Sequence, residues 1–103
     1  MILRRRFSEL IRRQLDLFVE QEARLLEECD DALARYNAAG REEAEELYGD
    51  YVDLVESGTE ILADMRDRYA HTLDEEAGEA YTAEFNRAVA RRLPRFAVEI
   101  ENR

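Results

Sequence analysis

Residues 36–48 read YNAAGREEAEELY, a helix stop followed at once by a helix start. Ala38-Ala39-Gly40 ends an apolar-periodic stretch, and Gly40 is placed to take the left-handed conformation that closes many helices. Glu42, Glu43, Glu45 and Glu46 then crowd the first turns of the next helix, where negative charge meets the positive end of the helix dipole. A turn as short as Ala39 to Arg41 forces the flanking helices into an antiparallel hairpin, in which facing residue numbers sum to about 80. Tyr36 then meets Ala44, Cys29 meets Tyr51, Leu25 meets Val55, Phe18 meets Leu62 and Phe7 meets Leu73. Two polar residues interrupt this register: Gln14 falls beside Arg66, and Glu22 falls opposite Gly58.

Working outward, the first helix is predicted over about 7–38. Its apolar positions at 7, 11, 18, 25, 29, 32 and 36 are widened on both sides by leucines at 10, 15, 17, 26 and 33. The resulting apolar arc of roughly 200° exceeds the ~100° of a simple surface helix, so this helix must be covered from two directions. The second helix is predicted over about 41–72, with Ala44, Leu47, Tyr48, Tyr51, Val55, Leu62, Met65, Tyr69 and Leu73 on one face. Ser57-Gly58-Thr59 could break it, but the apolar phase passes from Val55 to Leu62 without slipping, which predicts continuity. A third helix is expected over about 75–93, capped by Thr72 with Glu75 or by Asp74. Pro94 ends or kinks it, with an extension over 95–101. The predicted fold is all-α: one domain over residues 1–103, an antiparallel helical bundle made of a long two-helix hairpin and a shorter third helix that runs back beside the first.

Composition agrees with this class. Hydrophobic residues make up 46% and charged residues 39% of the 103, a balance that suits amphipathic helices with charged outer faces. One proline and four glycines leave too few turn formers for a fold of many short strands. Cys29 is the single cysteine, so neither an intramolecular disulfide nor a cysteine-rich metal cluster is available, and a reducing cytoplasmic location is expected. MILRRRF places its apolar residues ahead of its arginines, the reverse of a signal peptide, and no apolar run approaches the ~20 residues that span a bilayer.

Arg66 and His71, the single histidine, are spaced R-x-x-x-x-H. This pattern resembles the signature of the HEPN family, small all-helical domains in which arginine and histidine serve metal-independent RNA cleavage across a dimer interface. The resemblance covers these two positions and the helical class. It implies histidine as the group that moves a proton near neutral pH, and arginine as the cation that stabilises phosphorane-like charge. Asp67 is an acceptable counterpart of the polar residue that often follows the family's arginine, whereas Leu73 stands where a tyrosine is common. By helical phase Arg66 points into the apolar face and His71 away from it, about 140° apart. Read from the residues alone, His71 is an exposed helix end.

Other chemistries lack their parts. A ferritin-like di-iron site needs Glu-x-x-His on two helices, and no Glu-x-x-His occurs here. Glu22, the one acid well inside an apolar stripe, is read as half of a buried ion pair with Arg87 or Arg91. No metal or cofactor is implied. Charge is strongly segregated: residues 1–13 carry +4, residues 14–86 carry −17 and residues 87–103 carry +3. An acidic centre repels phosphates, so nucleic acid is not an expected partner, nor is a membrane. The uncovered apolar residues Tyr36, Leu47, Tyr48 and Tyr51 near the hairpin tip form the candidate interface. The sequence therefore predicts a non-enzymatic acidic interaction or assembly module, self-associating as a dimer or taking a basic protein partner. A HEPN-like ribonuclease or toxin using Arg66 and His71 is the alternative.

Overall fold

The computed structural model describes residues 6–103. Its helices are α1 (Ser8–Gln21), α2 (Ala23–Ala38), α3 (Arg41–Ala70), α4 (Glu75–Arg92) and α5 (Ala97–Asn102), with a 3-10 turn over Pro94–Phe96 between the last two. The described residues are 89% helical, as the periodicity predicts, and no strand occurs among them.

The first predicted helix is not one rod. It breaks at Glu22 (φ −108°, ψ 27°), although the Glu22 N–H still reaches the Phe18 carbonyl at 2.8 Å and the Leu26 N–H reaches the Glu22 carbonyl at 3.0 Å. The two halves have different neighbours, which is how the wide apolar arc is covered. The α2 half folds back on α3 through the joint at Ala39 and Gly40, while the α1 half packs on α4. Phe7 meets Tyr81 edge-on at 5.4 Å, and the Tyr81 hydroxyl donates to Gln14 Oε1 at 2.7 Å. Phe18 stands edge-on to Phe96 at 5.9 Å. The pairings expected for the lower hairpin are thereby corrected: Gln14 belongs to Tyr81 rather than to Arg66, because residues 94–100 and α4 stand beside α1.

Phe96 is the wedge. It is 1% exposed and lies against Gly58, where a Cβ would sit 2.5 Å from its ring. Gly58 therefore does not break α3, which runs through it unbroken; its missing side chain makes room for the ring. The neighbouring hydroxyls turn back onto their own helix, Ser57 to the Asp53 carbonyl at 3.2 Å and Thr59 to the Val55 carbonyl at 2.8 Å. Around Phe96 the core collects Leu15, Phe18, Leu62, Tyr81, Phe85, Val89 and Ile100, each at most 1% exposed.

The joints differ in detail from the expectation. Gly40 is extended (φ −77°, ψ 169°), not left-handed, and acts as the N-terminal cap of α3, its carbonyl accepting from the Glu43 and Ala44 N–H groups at 3.1 Å. Asp74, rather than Thr72, caps α4: its Oδ1 accepts the Ala77 N–H at 2.9 Å, while the Thr72 hydroxyl donates to the Tyr69 carbonyl at 2.6 Å. Pro94 ends α4 as predicted.

The shape follows from these contacts. The molecule measures 50 × 24 × 24 Å. One end is a closed base made of α1, the C-terminal half of α3, α4 and residues 94–102. From it project α2 and the N-terminal half of α3, here termed the arm, bounded by the kink at Glu22 and the Phe96 seat at Gly58.

Candidate functional site

Two places hold the residues singled out by the sequence: the lower end of α3, and the arm. At the lower end, Arg66 is 2% exposed. Its Nε donates to Asp67 Oδ1 at 2.8 Å, and its Nη1 donates to Asn86 Oδ1 at 3.0 Å and to the Ile100 carbonyl at 2.9 Å. The guanidinium thus ties α3 to α4 and to the C-terminal end of α5, where a cation meets the last carbonyls and the negative end of a helix. His71 lies one residue past α3 and is exposed. It borders an open depression of about 530 Å³ that is also lined by Asp74, Glu75, Glu79 and Asn86. The α3 axis does separate the pair as the helical phase predicts, with Arg66 inside and His71 outside. The depression is flanked by carboxylates, which oppose a phosphate.

Among the described residues Glu22 forms no ion pair with Arg87 or Arg91, and this expectation is corrected. Glu22 is half-buried at the kink, and both arginines are exposed on α4. The buried acid is instead Glu84, 9% exposed, whose Oε2 accepts the Phe7 N–H at 3.4 Å. Its position in the apolar phase of α4, three residues after Tyr81 and one before Phe85, was the signal that could have found it. Arg92 and Arg95 carry the pairing role: Arg92 bridges to Asp16 at 2.6 Å and Arg95 to Asp30 at 3.0 Å. Cys29 is fully buried, and burial pushes its thiol pKa up, which suppresses the reactive thiolate. Burial likewise pushes the Tyr81 phenol up to about 12. Among the described residues no group of three or more His, Cys, Asp or Glu side chains is placed to hold a metal ion. No described helix is long and apolar enough to cross a membrane.

The arm is built differently. Between Glu22 and Gly58 the chain carries twelve acidic residues and three arginines, a net −9, whereas the other described residues, 6–21 and 59–103, carry thirteen acids and ten arginines, a net −3. Three of the four residues proposed as an interface come together as an aromatic ladder. Tyr36 lies 5.1 Å from Tyr48, and Tyr48 lies 6.3 Å from Tyr51. Tyr48 is 49% exposed although it is a large aromatic, and Tyr36, Leu47 and Tyr51 are half-buried. Arg95 from the base reaches up to this ladder. Its guanidinium stands 5.6 Å above the Tyr51 ring, and its Nε donates to the Tyr51 hydroxyl at 3.2 Å. The core reaches as far up the arm as Cys29 on α2 and Tyr51 on α3; Leu33, Tyr36, Leu47 and Tyr48, nearer the tip, do not pack against it.

The fold and this surface define a class, an all-α bundle with a projecting, acidic, aromatic-faced helical arm. Comparison with protein-family models, characterised proteins and solved structures finds no match for the chain.

Proposed function

We propose that the protein is a non-enzymatic interaction and assembly module whose working surface is the arm. The observation that carries this reading is the division of labour between the two ends. The base is closed and carries a net −3 over its described residues, whereas the arm concentrates a net −9 around Tyr36, Tyr48, Leu33 and Leu47, which do not pack against the core. Side chains that are aromatic, amphipathic and rigid suit binding better than they suit an exposed helix. The test compares purified wild type with a Leu47→Ser, Tyr48→Ser variant as bait in an extract of the source cells. Partners retained by the wild type and lost by a variant of unchanged helicity are the expected result. A variant that captures the same partners as the wild type would sink the proposal.

Homodimerisation is the other use of the same face. The apolar residues of the arm support it, while two arms of −9 each repel at low ionic strength. Sedimentation at high micromolar concentration decides: a monomer there removes the dimer.

The ribonuclease reading rests on the Arg66 and His71 spacing alone and receives less support, since Arg66 is 2% exposed with its Nε and Nη1 engaged in holding Asp67, Asn86 and α5. Single-stranded RNA incubated with the protein without divalent metal tests it. Cleavage that His71→Ala abolishes would replace the interaction module with an enzyme.

A further inference from the structure

Arg95 marks the point where residues 94–102 stop packing along the flank of α2 and α3. The 3-10 turn and α5 occupy the lower part of the cleft beside α3, Phe96 against Gly58 and Arg95 against Tyr51 and Asp30. Toward the tip, the residues on the same flank follow from helical spacing. On α3, Leu47 lies one turn beyond Tyr51, just as Leu54 lies one turn below it. On α2, Leu33 lies one turn beyond Asp30, just as Leu26 lies one turn below it. Leu26 and Leu54 are packed against the core; Leu33 and Leu47 are not. Contact with the buried core therefore ends between one turn and the next while the leucines go on, Leu33 and Leu47 being half-buried as Leu26 and Leu54 are.

The rim of this upper groove is acidic. Glu43 and Asp50, seven residues apart, flank Leu47 on α3, and Asp30 stands on the α2 side; all three are exposed. The three arginines of the arm, Arg24, Arg35 and Arg41, fall by helical phase on other flanks. We infer that the groove floored by Leu33, Leu47 and Tyr51 and rimmed by Asp30, Glu43 and Asp50 docks a basic amphipathic helix of a partner protein, continuing the line that residues 94–102 begin. The inference rests on the arm being the working surface and adds the chemistry of its ligand.

Arg95 shows how such a ligand is held. A guanidinium from the base already sits over a tyrosine ring and on an aspartate at the lower edge of the groove. A partner helix would repeat that pattern, with apolar residues at i, i+3/i+4 and i+7 on the floor and Arg or Lys against the rim. From Asp30 and Tyr51 to the joint is about eight to ten residues on each helix, or roughly 12–15 Å, room for two to three helical turns. So short a contact is far below a standard interface, so binding is expected in the micromolar range and strongly salt-dependent.

The probe is a fluorescein-labelled synthetic helix of leucine and arginine with a single apolar stripe. A permutation of it without the stripe and a twin with glutamate for arginine serve as controls. Each is titrated into the full chain, into Leu47→Ser, into Glu43→Arg with Asp50→Arg, and into Glu76→Arg with Glu79→Arg on exposed α4, which makes the same charge change on the base. Circular dichroism verifies that every variant is folded. The striped basic helix should bind best. Reversal on the arm should weaken it about tenfold or more, Leu47→Ser should weaken it clearly, and reversal on α4 should change it about twofold or less. Equal losses from the two reversals, or equal binding of the permuted peptide, would mean diffuse charge attraction without a groove and would overturn the inference. A dimer that Leu47→Ser dissociates would put a second copy in the groove, overturning the inference while the interaction-module reading stands. Both fail together if Leu47→Ser, Tyr48→Ser bait captures the same cellular partners as wild type and no peptide binds.

Discussion

The base and the arm are made of the same kind of helix, yet they are held by different forces. In the base Phe18, Leu62, Tyr81, Phe85, Val89, Phe96 and Ile100 are at most 1% exposed and drawn from four parts of the chain. In the arm the buried side chains among the described residues are Cys29, Ala32 and Val55, because two helices have no third layer to close over them. The base gains from apolar burial, which contributes roughly 1.5–3 kcal/mol per large side chain. The arm gains little, and it concentrates like charge. Stability therefore resides at one end and recognition chemistry at the other, and the arm should be the first part to open locally. Arg95 joins the two regimes, leaving the base through Phe96 and ending on Tyr51 and Asp30 of the arm.

Mutations can break or sharpen this contrast. The largest effect is expected from Phe96→Ala, which removes the wedge shared by α1, α3 and α5. Loss of a fully buried aromatic ring should lower unfolding free energy by about 3–5 kcal/mol in denaturant titration. A loss below about 1 kcal/mol would show that the base does not depend on its C-terminal segment.

Arg66→Met comes next. It keeps the aliphatic volume but strips Asn86 and the Ile100 carbonyl of a charged donor, for an expected loss of about 2–3 kcal/mol. Unchanged stability would free Arg66 from its structural role and reopen the ribonuclease reading.

Gly58→Ala separates packing from propensity. In the wild type the new methyl meets the Phe96 ring, and overpacking of about 1–3 kcal/mol should outweigh the roughly 1 kcal/mol gained from replacing a helical glycine. With Phe96→Ala in the background the sign should reverse, since the methyl then enters a gap. The double-mutant cycle measures this, and additivity would disprove the contact.

The smallest effects belong to the exposed positions. His71→Ala beyond the end of α3 and Tyr48→Ser on the arm should each shift stability by less than about 0.5 kcal/mol. A large loss at Tyr48 would make the aromatic ladder a core element and erase the contrast between the two regions.

Much of this was legible in the chain, for local reasons. The apolar phase across Val55 to Leu62 predicts a continuous α3, and α3 is continuous. YNAAGREEAEELY predicts the joint, although Gly40 fills it in an extended conformation because its carbonyl caps α3. The helical phase places Arg66 inside and His71 outside, as observed. Glu84 and the Glu22 position were less legible. Whether an acid in an apolar stripe is buried depends on which neighbour arrives beside it, and no spacing along one helix specifies that neighbour.

What the sequence determined by itself is therefore set by periods and turns: an all-α chain, helix ends near residues 38, 72 and 93, within two residues of those observed, the amphipathic faces, and the acidic middle. The tertiary structure alone decided how the 200° arc of the first predicted helix is shared. One straight helix cannot face α3 and α4 along its whole length. Phe96, tolerated only because residue 58 is glycine, takes a place beside Phe18, and the chain bends at Glu22 instead. That bend turns a long hairpin into a closed base and an open arm. It rests on contacts between residues 18, 58 and 96, brought together by folding rather than by any local pattern.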